Sequence, residues 1–228
     1  MADRVCRPLR YKALLTHTCV QLPDDISLLQ LEYDEDMEES WRRILSPEEI
    51  DRLSGMRSRA RRRSFTLGRI TVRRLLAGRL HVDPAVVPLS VWDDGRVVVD
   101  GSDLHISIAH SGERAVAIVS EHPVGVDIEL VVEKPRALLD YILHEDEKSA
   151  IEELPLDRNH KLFLCWTLKE AVLKASGTGL RRSPRSARLQ VDLAGGTAAV
   201  LDAEDRLWRA VFEKQGAYFV AVAYQAQD

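Results

Sequence analysis

Two short stretches hold acidic side chains at chemically useful spacings. In Val126-Asp127-Ile128-Glu129-Leu130, apolar and acidic residues alternate, so an extended chain puts both carboxylates on one face. They then lie about 7 Å apart, within reach of one divalent ion. Further on, Trp166, Glu170 and Lys174 recur every fourth residue and form one helical stripe, while Leu168, Val172 and Leu173 supply the buried side. Taken singly, either pattern also fits a solvent face, with two surface acids or a Glu–Lys pair of roughly 0.2–0.5 kcal/mol. His110, in Ala109-His110-Ser111-Gly112, sits at a hairpin turn. A histidine there is an ordinary surface residue unless a phosphate lies beside it, to which it would donate a charge-assisted hydrogen bond.

An internal repeat positions these groups. Ile44-Leu45-Ser46-Pro47-Glu48-Glu49 is echoed by Ile142-Leu143-His144-Glu145-Asp146-Glu147, and Phe65-Thr66-Leu67-Gly68-Arg69 by Trp166-Thr167-Leu168-Lys169-Glu170. Alternating strand–turn–strand patterns close each half at residues 105–120 and 208–224. Each half therefore reads as a strand, a capped helix, a longer amphipathic helix and a hairpin. Ser46, Pro47 and Glu49 form a helix start with a capping box. The long helices are expected over residues 61–80 and 158–176, the second ended by Gly177 and Gly179. The expected class is α+β: a pseudo-dimer of two similar halves, residues 1–121 and 122–228, each a long helix on a small antiparallel sheet.

Aligning the halves sets Asp127 and Glu129 opposite Leu29 and Leu31, Glu170 opposite Arg69, and Lys174 opposite Arg73. A symmetric structural role would not put three acids where the other half has two leucines and an arginine. One metal-type site facing a cationic surface would. Oxygen ligands without a cysteine or histidine cluster suit a hard cation, Mg²⁺ above all, completed by water and phosphate. Residues 52–79 carry ten arginines and no acid, and arginine favours bidentate phosphate contacts. Together these point to chemistry at a pyrophosphate.

The composition is that of an ordinary globular chain, 45% hydrophobic and 30% charged, with a net charge of −4. No apolar run reaches the roughly 18 residues a membrane helix needs, and the N-terminus lacks a signal-like apolar region. Cys6, Cys19 and Cys165 are odd in number and scattered, which argues against a disulfide framework or zinc site and for a cytoplasmic protein. Cys165 has no activating partner in view and reads as core.

Gly125-Val126-Asp127-Ile128-Glu129, followed some forty residues later by Trp166-Thr167-Leu168-Lys169-Glu170-Ala171-Val172-Leu173-Lys174 and Gly177-Thr178-Gly179-Leu180, resembles the Sfp-type 4'-phosphopantetheinyl transferases. The spacing of the blocks is the specific signal. Ile108-Ala109-His110-Ser111-Gly112 resembles the family's histidine turn, and Asp94-Gly95-Arg96 its Gly-Lys segment; the matches run from about Ser46 to Leu180. Ala109 stands where many relatives have serine, Arg96 replaces a lysine, and Trp92-Asp93 is not the usual basic approach. Family members of this length are pseudo-dimeric monomers.

The resemblance implies that Asp127, Glu129 and Glu170 hold Mg²⁺ on the pyrophosphate of coenzyme A. Glu170 would take the proton of the serine on an apo acyl or peptidyl carrier protein, and Lys174 would stabilise the departing adenosine 3',5'-bisphosphate. Arg52 and His110 match coenzyme A ligands, with Arg96 in the Gly-Lys segment; Arg69, after Gly68, is a further phosphate contact on physical grounds rather than by resemblance. The Trp/Lys-Glu-Ala form resembles the subgroup serving peptide and polyketide synthases. Two rivals are a catalytically inactive carrier-binding homologue and a nucleic-acid-binding protein using the arginine-rich helix. A pI near 6.0, no nucleic-acid motif and the unexplained acids count against the latter, and nuclease or phosphatase chemistry leaves Lys174 unexplained.

Overall fold

Helices begin where capping residues put them. The computed structural model describes residues 22–34, 38–93, 95–179 and 182–225; Cys6, Cys19, Asp94, Leu180 and residues 35–37 of the acidic run lie outside these. After β1 (Ser27–Glu32) and the short α1 (Glu38–Arg42), α2 (Pro47–Ser54) opens on the expected capping box. Ser46 Oγ accepts Glu49 N–H at 3.3 Å, and Glu49 Oε2 accepts Ser46 N–H at 2.9 Å. The long helix α3 (Arg59–Leu80) is capped by Ser58 and so starts two residues before the expected position. Asp157 caps its counterpart α6 (Arg158–Ala175), which stops just before Gly177, whose φ is +73°.

The strands form two principal antiparallel sheets, as the α+β expectation requires. β4 (His105–Ser111) and β5 (Arg114–Ser120) make a hairpin, and β1 adds to it in the order β1-β5-β4. Residues 121–123 lead into β6 (Val124–Leu130). Two short helices, α4 (Ala137–Ile142) and α5 (Lys148–Glu152), precede α6. Strands β7 (Arg188–Asp192), β8 (Thr197–Leu201), β9 (Leu207–Gln215) and β10 (Tyr218–Tyr224) complete a sheet ordered β6-β10-β9-β8-β7. A separate hairpin, β2 (Leu89–Val91) and β3 (Val97–Val99), stands beside β4. Helix α3 covers the first sheet and α6 the second.

The two hairpins take their added strands in similar registers. Leu29 pairs with Ala117 and Leu31 with Ala115 at the first hairpin; Asp127 pairs with Ala221 and Glu129 with Phe219 at the second. Strand β6 is buried on both faces rather than one. Val124, Val126 and Ile128 pack against Ala109, Val116 and Ile118 of the first sheet. Its other face meets α6, where Gly125 is required: a Cβ there would stand 2.0 Å from Ala171 O and 2.5 Å from Ala175 N. This close approach of strand and helix brings residue 127 to residues 170 and 174.

Each half also buries a cation against the capping-box glutamate. Arg73, 1% exposed, donates through Nε to Glu49 at 2.7 Å and through Nη1 to the carbonyls of Pro84, Ala85 and Val87. In the second half Lys169, fully buried, binds Glu147 and the carbonyls of Ile142 and Ala187. Glu147 completes its own box, accepting His144 N–H at 2.7 Å, and also takes Leu189 N–H at 2.6 Å. Both pairs satisfy buried carbonyls and hold a distant turn against the long helix.

Candidate active site

Asp127, Glu129, Glu170 and Lys174 come together where β6 meets α6. Lys174 Nζ donates to Asp127 Oδ1 at 2.7 Å and to Val126 O at 3.1 Å. The Glu170–Lys174 surface pair that spacing alone allowed does not form; the lysine bends to the strand instead. Its third N–H has no partner among the described residues. Glu129 Oε2 accepts from Ser111 Oγ at 2.8 Å. Asp127 is only 5% exposed and Glu170 only 4%, which excludes a solvent-face role. Asp127 Oδ2 and Glu170 Oε1 are buried without a hydrogen-bond partner among the described residues.

The three acids feel one another. Burial, and then the charge of Asp127, push Glu129 up to about 7, with Glu170 a further contributor. Burial and Asp127 likewise push Glu170 up to about 7 against the pull of Lys174. Burial also raises Asp127, opposed by Lys174. Mutual repulsion of this kind marks carboxylates arranged for a cation or for proton transfer.

Among the described residues, no three acids or histidines already stand in metal-ligand geometry. The donor set nonetheless fits a divalent ion: acceptor-only oxygens, two of them orphaned in a buried position, and carboxylates whose repulsion a cation would relieve. A hard cation suits these ligands better than a soft one.

His110 lies on strand β4, two residues before the Gly112 turn rather than in it. Its ring faces α3, where a Cβ on Gly68 would come within 3.7 Å of it. Although its side chain reaches solvent, the surrounding protein and then Lys174 hold the imidazole below its usual value, so it is close to the same site. A cleft of about 1070 Å³ opens between the β2–β3 hairpin, β4 and the turn after α6, lined by Arg96, Glu170, Lys174 and Gly177 among others. Arg96 stacks over Trp92 at 4.7 Å and reaches across to Gly177, whose added Cβ would lie 3.4 Å from its Nη1. Trp92, a departure from the family pattern, thus acts as the platform for the substituted arginine.

Arg52 and Arg69 form a second group on α2 and α3. Both lie over the Phe65 ring, at 5.4 and 5.3 Å, and Arg69 also approaches Glu49 at 3.5 Å. Arg69 is 8% exposed, and burial lowers its guanidinium from the ordinary value. Other arginines of this block are used within the protein: Arg62 binds the carbonyls of Met56 and Arg57, Arg63 pairs with Glu113, and Arg79 with Glu121. That leaves less of the block for a nucleic-acid backbone. Cys165 is buried in the α6 core and its thiol is pushed up to about 12, as a packing residue. Among the described residues, no helix is long and apolar enough to cross a membrane.

Residues 123–223, which contain the strand, the helix and all three acids, match the family model described as the 4'-phosphopantetheinyl transferase superfamily. The chain is 30% identical over 152 residues to the 4'-phosphopantetheinyl transferase gsp of Aneurinibacillus migulanus, covering 59% of this chain and 64% of that protein. It is 28% identical over 188 residues to the 4'-phosphopantetheinyl transferase HetI of Nostoc, covering 74% and 78%. It is 24% identical over 139 residues to the 4'-phosphopantetheinyl transferase Sfp of Bacillus subtilis, covering 60% and 62%. The carboxylates gathered at one strand–helix contact all fall in the matched segment, and by that match and these relatives the chain is similar to the 4'-phosphopantetheinyl transferase superfamily.

Proposed function

We propose that this protein transfers the 4'-phosphopantetheine arm of coenzyme A to a serine of an apo acyl or peptidyl carrier protein, releasing adenosine 3',5'-bisphosphate in a Mg²⁺-dependent reaction. The supporting observation is the gathering of Asp127, Glu129, Glu170 and Lys174 where β6 meets α6, with Glu170 and Lys174 lining the cleft. Asp127, Glu129 and Glu170 would hold Mg²⁺, which supplies charge neutralisation at the pyrophosphate.

Glu170 is the base. Its carboxylate titrates near neutrality, its Oε1 is unclaimed, and it lines the cleft, so it takes the serine proton directly or through a water. The serine oxygen forms the new bond to the phosphorus bearing the pantetheine arm, and the bond from that phosphorus to the bridging oxygen breaks. The departing phosphate gains negative charge, and Lys174, anchored by two hydrogen bonds, keeps one N–H for it. Arg96 in the cleft and His110 near Lys174 act as phosphate ligands, while Arg52 and Arg69 serve the coenzyme from the α2–α3 side.

The division at residues 121/122 gives a coenzyme-binding half and a catalytic half. The protein works as a cytoplasmic monomer without nucleic acid or membrane. The test is incubation with apo-carrier, coenzyme A and Mg²⁺, followed by intact-mass measurement. A gain of one phosphopantetheine group on the carrier is expected; an unmodified carrier across acyl and peptidyl types would overturn the reading.

A further inference from the structure

The seam between the sheets carries an arrangement that the reaction above leaves unused. Strands β4 and β6 are packed side by side but belong to different sheets. Serine hydroxyls bridge them: Ser107 Oγ accepts Val126 N–H at 3.1 Å, and Ser111 Oγ accepts Leu130 N–H at 3.0 Å. Both partners advance by four residues, so the strands run in the same direction.

The two serines differ in one respect. Among the described residues, the Ser107 hydroxyl makes only the backbone contact. Ser111 also points its proton at Glu129 Oε2, 2.8 Å away. A hydroxyl has a single proton, and with a lone pair engaged by Leu130 N–H, that proton is committed to the carboxylate. Ser111 therefore grips the side chain of residue 129 and the peptide N–H that follows it.

We propose that Ser111, supplied by the N-terminal half, is a positioning residue that fixes Glu129 as a metal ligand in the C-terminal half. The proposal rests on the reading of Glu129 as a ligand. The hydroxyl locks the glutamate in one rotamer and occupies Oε2, leaving Oε1 for the cation. It acts on a half-buried acid for which no other hydrogen-bond partner is found among the described residues. Groups in this position typically change metal affinity about 10–100-fold when removed.

The test reads metal binding without turnover. Mn²⁺ is titrated into the full chain with saturating coenzyme A and no carrier, and followed by water-proton relaxation. Ser111→Val, which removes the hydroxyl while keeping the shape of threonine, is expected to weaken Mn²⁺ binding at least about tenfold. Ser111→Thr is expected to stay near the parent chain, and Ser107→Ala to lower Tm with Mn²⁺ binding unchanged. Equal binding by Ser111→Val and Ser111→Thr overturns the proposal. Equal weakening by Ser107→Ala and Ser111→Val overturns it too, since a loosened seam would then suffice. Glu129→Gln separates the two levels. If it binds Mn²⁺ normally, the ligand assignment falls and Ser111 with it; if it weakens binding while Ser111→Val does not, only the Ser111 proposal falls.

Discussion

Strands β1 and β6 occupy matching places in the two halves, each paired with the last strand of a hairpin and covered by a long helix. Their contents differ. β1 presents Leu29 and Leu31, where β6 presents Asp127 and Glu129, and Ser27 stands where β6 has Gly125. The accompanying helices differ in the same sense: α3 turns Arg69 and Arg73 towards Glu49, whereas α6 reserves Lys169 for Glu147 and releases Glu170 and Lys174 to the cleft. A buried cation–glutamate clamp is common to both halves. Among the described residues, only the second half gathers acids and a lysine at its strand–helix contact, and Gly125 permits that close approach.

The sharpest way to break this comparison is at Glu170. Glu170→Gln is expected to lower kcat about 10²–10⁴-fold with Tm unchanged or higher, because it removes a repelling charge from beside Asp127. Near-normal turnover would return residue 170 to a structural role. Next come the clamps. Lys169→Met and Arg73→Met each strand a buried glutamate and should each cost about 3–5 kcal/mol by chemical denaturation. A large cost in one half only would show that the clamps are not equivalent.

A smaller effect is expected at the strand–helix contact. Gly125→Ser should destabilise by about 1–3 kcal/mol and displace the acids, while Ser27→Gly in the first half should cost no more than about 1 kcal/mol. Comparable stabilities of the two variants would dismiss the tight approach of α6 as the reason for glycine. The smallest effect is on pH. Glu129 and Glu170 are raised from 4.5 to about 7 in the folded chain, so between these values the folded state holds more protons than the unfolded one. Stability of the chain in EDTA should therefore fall as pH rises through that window, and Glu170→Gln should flatten the fall. An unchanged slope would mean that Glu170 does not titrate there.

Much of this was legible in local patterns. Alternation at residues 126–130 gave β6, the four-residue stripe gave the cleft face of α6, and Ser46 with Glu49 gave the start of α2. What escaped was set by contacts between residues far apart in the chain. Arg73 looked like the counterpart of Lys174, yet Glu49 and the carbonyls of residues 84–87 draw it inward. Lys169 sits beside Glu170 in a polar-looking run, but it is buried because its carbonyl partners arrive from residues 142 and 187. Ser107 and Ser111 resembled any small polar residues of a hairpin strand; only the packing of β4 against β6 gives their hydroxyls an object. The Gly112 signal places His110 in the turn, but the pairing of β4 with β5 carries the strand through Ser111.

Lys174 has a consequence for what the cleft will accept. When all four groups are ionised, three carboxylates face one ammonium, and the pocket is left two charges short of neutrality in a poorly hydrated place. A divalent ion makes up that shortfall at a stroke, while sodium or potassium would satisfy only half of it. On the reading proposed above, the lysine would set the valence of the ion the site takes, and replacing it with a neutral side chain would change the ion for which the pocket is balanced.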